Sequence, residues 1–129
     1  MSVKWIKRSI VESPYCIGLC RKEKDFYKEL KRLKIPKAEW PKWIRNNYSA
    51  TTYFFESSDA HDHCCIVCIG KRKGRGIVAA YGLLIHEAVH IWQHICKDLN
   101  EHHPSSEFEA YSIQMISQCL IAAYLNNKK

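Results

Sequence analysis

An α+β fold is predicted by three features of the sequence. Two long, mostly apolar stretches with helical spacing occupy residues 77–96 and 106–125. Two short β-prone runs, 51–55 and 64–69, precede them. An amphipathic, charged helical pattern fills residues 21–34. Strands and helices that are segregated along the chain, instead of alternating regularly, point to α+β. At 129 residues the chain is long enough for one core and too short for two. A single domain over 1–129 is therefore expected, with a basic helical N-terminal segment (1–45), a small antiparallel sheet, and two packed helices (76–129) that bear the site.

Taken in order, Phe26, Leu30 and Leu33 recur at helical spacing among Lys and Glu, and Ile35-Pro36 ends the pattern. Trp40-Pro41-Lys42-Trp43-Ile44 is aromatic and basic, and its rings are expected to pack as a satellite of the core. Thr51 to Phe55 and Cys64 to Ile69 are rich in β-branched and aromatic or small apolar residues, and are expected to pair antiparallel. Lys71-Arg72-Lys73-Gly74-Arg75 reads as a charged loop. From Ile77 a helix carries Leu84, Ala88, Ile91 and Ile95 on one stripe and Ile85, Val89, Trp92 and Cys96 on the next. His86, Glu87, His90 and His94 fill the remaining polar sector. A loop over 97–105 leads to the last helix, dense in Ile, Leu, Met, Ala and Tyr.

Composition narrows the class. Hydrophobic residues make up 47% and Gly and Pro number five and four, as expected of a folded globule. The N-terminus shows no apolar run of signal-peptide length, and the stretch 76–95 is too interrupted by polar residues to span a bilayer. A soluble protein of a reducing cytoplasm is expected, with the seven cysteines as free thiols. Net charge is +7, concentrated early: residues 1–45 hold thirteen Lys/Arg against five Asp/Glu, and residues 76–129 three against five. Such a basic half attracts nucleic acid, an anionic membrane or an acidic protein, or serves solubility alone.

The chemistry is concentrated in His86-Glu87-Ala88-Val89-His90. Histidines four apart on a helix project from one side, about 6 Å apart along the axis, and can converge on one zinc ion. Glu87 is turned by roughly 100° from His86, beside the metal, where a general base for a zinc-activated water belongs. Two core histidines satisfied by backbone partners would be the ordinary alternative, but it does not explain why an apolar helix gathers its ionisable groups in one sector. A third ligand is required. His94 lies about 12 Å along the axis from His86 and cannot share the ion with both others. Gln93 and Cys96 stand where a metzincin would place Gly and His. Glu107, Glu109, His102 and His103 remain. Ser106 with Glu109 fits a capping box, which would occupy Glu109 and leave Glu107 as the leading candidate.

Gly82-Leu83-Leu84-Ile85-His86-Glu87-Ala88-Val89-His90-Ile91-Trp92-Gln93, followed by Pro104-Ser105-Ser106-Glu107-Phe108-Glu109-Ala110-Tyr111, resembles the small zincin-like proteins encoded by bacteriophages and prophages. The resemblance extends weakly upstream through Cys16 to Pro36 and Ile66 to Ile69. It implies a minimal zincin-like domain of gluzincin type. It further implies a Zn2+ cofactor held by His86, His90 and Glu107, and hydrolysis of a peptide or protein substrate in the bacterial host cytoplasm. It names no particular substrate.

Secondary signals are weaker. His61, Asp62, His63, Cys64, Cys65 and Cys68 crowd together, but on a strand Cys64 and Cys68 face one way and Cys65 the other, so buried thiols are favoured over a second metal site. Cys16 and Cys20 lack a second ligand pair. Tyr81 and Tyr111 flank the two motifs and offer a phenol to an oxyanion, or pack between the helices. A different class of function also fits the charge: a non-catalytic, zinc-stabilised protein that binds nucleic acid or an acidic host protein through its basic N-terminal half.

Overall fold

Seven residues, His63–Ile69, form a strand whose side chains are buried from Cys64 onward on both faces. A strand covered on both sides has no reason to alternate polar and apolar residues, and His-Cys-Cys-Ile-Val-Cys-Ile does not. The computed structural model describes residues 3–6, 15–44, 49–56, 63–70 and 76–126. In chain order these form β1 (Lys4–Trp5), β2 (Tyr15–Cys20), α1 (Glu23–Arg32), a single 3-10 turn at Lys37–Glu39, β3 (Ala50–Glu56), β4 (His63–Ile69), α2 (Ile77–Asp98) and α3 (Ser106–Asn126).

The α+β class holds, but the sheet is mixed. Its order is β1-β2-β4-β3. The expected antiparallel pair is present, with Thr52 opposite Val67 and Phe54 opposite Cys65. Beside it β2 runs parallel to β4, Cys16 opposite Cys64 and Cys20 opposite Cys68. The N-terminal segment is thus not helical throughout: within the described part of residues 1–45, only Glu23–Arg32 is α-helix, and two strands precede it. The physical reason is that Tyr-Cys-Ile-Gly-Leu-Cys is too short and too uniformly apolar for its periodicity to separate strand from helix. The loop at 71–75 lies outside the described residues.

Alternation across the sheet sorts the core into two layers. Ile17, Leu19, Cys65, Val67 and Ile69 face α2 and α3, meeting Leu84, Ala88, Ile91, Ile95, Ile116 and Leu120. Cys20, Ile66 and Cys68 face α1, meeting Phe26, Leu30 and Ile35. The Trp40 and Trp43 rings close this second layer as expected: Trp43 packs on Phe26 at 5.6 Å between centroids, and Trp40 donates its indole N–H to Ile35 O at 2.9 Å. Gly18 makes room for the Val3 and Trp5 side chains of the neighbouring chain segment, since a Cβ there would stand 2.9 Å from Val3 and 3.0 Å from the Trp5 ring. Trp5 then donates to the buried carboxylate of Glu29, which also accepts from Arg32. No helix among the described residues is long and apolar enough to cross a membrane.

Candidate functional site

The long helix α2 has three differently occupied sides, and the site arises where two of them meet. One packs on the sheet and one on α3, where Trp92 meets the first turn of α3. A third, bearing His86, His90 and Gln93, is exposed. Glu87, one residue beyond His86, is rotated toward the sheet and is only 6% exposed. Between α2 and β3 opens a cleft of about 890 Å³ lined by His86, Glu87, His90, Gln93, His94 and, from β3, Thr52.

Within it the two histidines converge. His86 Nε2 and His90 Nε2 are 3.1 Å apart. Two nitrogens bound to one tetrahedral zinc at about 2.0–2.1 Å stand roughly 3.3 Å from each other, so the pair is spaced as a chelate. Gln93 supports it one helical turn on: its Oε1 lies 3.3 Å from His90 Nδ1. In the tautomer that carries its proton on Nδ1, the ring donates to that oxygen and keeps the lone pair on Nε2, facing His86. Orientation of a ligand imidazole through its other nitrogen is what a metal site requires. Glu87 Oε1 accepts from the Thr52 hydroxyl at 2.6 Å, which fixes the carboxylate against β3. The polar sector expected from the sequence is accordingly split: the histidine pair is wet, whereas Glu87 is buried under the edge strand. His94 is half-buried and stacks on Phe54 at 3.7 Å between centroids, apart from the Nε2 pair.

Three of the four expected site residues thus share one cleft, and the fourth does not join them. Glu107 is exposed in the first turn of α3 and does not line the cleft. Among the described residues no group of three or more His, Cys, Asp or Glu side chains is placed to hold a metal ion. The reason lies in the register of α3. Glu109 N–H bonds Ser105 O, so Ser105 precedes the first helical turn and Ser106 is inside it, one residue off the expected capping box. The Glu109 carboxylate instead accepts the Trp92 indole N–H at 2.9 Å. Residues two apart on a helix point about 200° apart, so Glu109 turned inward leaves Glu107 turned outward. His102 and His103 are exposed in the connection 99–105 and do not line the cleft. Neither does Tyr81, packed against the core, nor Tyr111, which is solvent-exposed.

The cysteine-rich run behaves as buried thiols. Cys65 faces α2 and α3 while Cys68 faces α1, and all seven cysteines are free. Burial pushes the Cys20 and Cys64 thiols up to about 11, and Cys65 and Cys68 higher still. These are poor ligands and poor nucleophiles. His61 and Asp62 lie outside the described residues.

Two residues of the cleft escaped the sequence reading. Gln93 had a usable signal, the i+3 spacing from His90 on a helix. Thr52 had none, because its partner is 35 residues away. No known family model matches the chain, and neither a curated protein nor a solved structure shows significant similarity to it.

Proposed function

We propose that this chain is a zinc-dependent peptidase of zincin type, cleaving an amide bond in a peptide held between α2 and β3. The observation that carries this reading is the His86–His90 pair, spaced for chelation and oriented by Gln93, beside a buried Glu87 in the same cleft. When bound there, zinc would polarise a substrate carbonyl and lower the pKa of a water molecule.

The protein's own groups divide the remaining work. His86 and His90 would hold the ion through Nε2, and Glu107, which faces solvent as α3 is packed here, would have to turn toward the pair to complete the set. Thr52 engages Oε1 of Glu87, so the second carboxylate oxygen is the one available to take a proton from the attacking water. Glu87 then returns that proton to the departing amine nitrogen, as general acid–base catalysis requires. Among the described residues β3 is an edge strand, pairing only with β4. An edge offers backbone donors and acceptors to an extended chain, so a peptide laid along β3 would pass across the histidine pair.

The test is zinc stoichiometry together with cleavage of a mixed peptide library followed by mass spectrometry. Wild type should bind one zinc and cut. Glu87→Gln should keep the zinc and lose about 10² to 10⁴-fold in rate. Glu107→Ala should weaken zinc binding if Glu107 is the third ligand, whereas unchanged affinity removes it from the set. Absence of zinc binding by wild type, or undiminished cleavage by Glu87→Gln, would sink the proposal.

A further inference from the structure

Beyond its first turn, the outer face of α3 bears no formal charge. From Ala110 to Asn126 the sequence contains no Asp, Glu, Lys or Arg, although the chain as a whole carries +7. A helix with one face on a core ordinarily presents charged residues on the other. Here the exposed face instead carries Phe108 at 50%, Tyr111 at 64%, Met115 at 41% and Leu125 at 37%, with exposed Gln118 and Ala122 between them. The intervals are 3, 4, 3, 4 and 3, the spacing of a helix–helix seam.

We propose that two copies of this chain pair through this face, α3 against α3 in antiparallel orientation. The choice of occupant rests on the pattern itself. The interval series reads the same in both directions, so an antiparallel copy sets each seam residue opposite another. Phe108 meets Leu125, Tyr111 meets Ala122, and Met115 meets Gln118, each twice about a twofold axis. The largest exposed ring is thereby placed opposite the smallest side chain, as interdigitated packing requires. A parallel pair would instead set Tyr111 on Tyr111 and Ala122 on Ala122, one crowded and one empty. An isologous interface of this kind is the commonest in soluble oligomers.

Charge argues for the same partner. A strongly charged partner would find only Glu107, at one end of this face, to pair with, whereas the antiparallel register sets Glu107 opposite the uncharged Asn126 and brings no like charges together. The net-basic segment 21–44, which includes α1, packs its apolar side chains on the opposite face of the sheet, so pairing through α3 keeps most of the positive charge of the two copies apart. Val78 and Ile85, exposed and seven residues apart on the neighbouring α2, would extend the covered area beyond a single helix. No residue of α3 lines the cleft between α2 and β3, so the pairing does not cover His86, Glu87 or His90.

Sedimentation equilibrium of the full chain over about 5 to 200 µM tests the pairing, a range that brackets a dissociation constant of tens of micromolar. The expected result is a reversible shift toward twice the 15.1 kDa of one chain. Met115→Lys should remain a monomer throughout, with far-UV circular dichroism unchanged. Met115→Lys combined with Gln118→Glu should pair again, because only the antiparallel register sets position 115 against 118 of the other copy. Should Met115→Lys fail to fold, Tyr111→Glu replaces it at a more exposed position. A wild type that stays monomeric at the highest concentration, as it would if another protein covers this face, overturns the proposal. So does a Met115→Lys protein that dimerises as tightly as wild type. Failure of the double variant to restore pairing overturns the antiparallel register.

Discussion

Gln93 lies one turn beyond His90, and its amide oxygen, 3.3 Å from Nδ1, is placed to favour the tautomer with the proton on that nitrogen. Replacing it by Ala frees the imidazole to rotate and to shift its proton to Nε2, without touching the core, since Gln93 is exposed. Zinc affinity of Gln93→Ala, measured by competition with a chromophoric chelator, should fall about 10- to 100-fold, as loss of an orienting partner does elsewhere. Unchanged affinity would mean that the 3.3 Å contact does not position the ring. Thr52 plays the corresponding part for Glu87. Of the two, only Gln93 could be found from spacing along one helix, because the Thr52 contact depends on how β3 comes to lie beside α2.

Both α1 and α2 end in the same way, and sequence rules see the ends unequally. After α1, Lys34 takes φ 62°, with Ile35 N–H bonded to Leu30 O and Lys34 N–H to Lys31 O. After α2, Asn100 takes φ 59°, with Glu101 N–H bonded to Cys96 O and Asn100 N–H to Lys97 O. Each is a Schellman cap, whose left-handed residue is favoured as Gly and tolerated as Asn. Lysine there pays a steric penalty. Lys34→Gly should therefore raise stability by about 0.5–1 kcal/mol in chemical denaturation. A loss of stability would show that the Lys34 side chain contributes more than its backbone costs. At the start of the chain the same local rules miss β2, because a strand buried by neighbours on both faces carries no alternation to detect.

On the scale of the molecule, the sheet separates a basic layer from the layer that carries the cleft, and its thiols are locked between them. Cys20 and Cys64 titrate near 11 in the fold against an ordinary 9.0, raised chiefly by burial. A raised pKa means the folded state holds the proton more tightly than the unfolded state. Their contribution is therefore intact below about pH 9 and is lost as pH rises through about 11. Urea denaturation at a series of pH values should show stability falling across that window. A Cys20→Ala, Cys64→Ala double variant should show a shallower fall. An equally steep fall in the variant would assign the alkaline loss to other groups.

His86, Glu87 and His90 were legible at once, because helical geometry places neighbours four apart on one side of any α-helix whatever surrounds it. The antiparallel pairing of β3 with β4 was legible too, from two adjoining β-prone runs. Glu87 under β3, Thr52 as its donor and the parallel partnership of β2 with β4 were decided only by tertiary structure, since each joins residues distant in sequence. The carboxylates of α3 show the boundary most clearly. Local pattern marked both Glu107 and Glu109 as candidates, but which one turns inward depends on the rotation of α3. Packing fixed that rotation by seating Phe108 and Glu109 against Trp92.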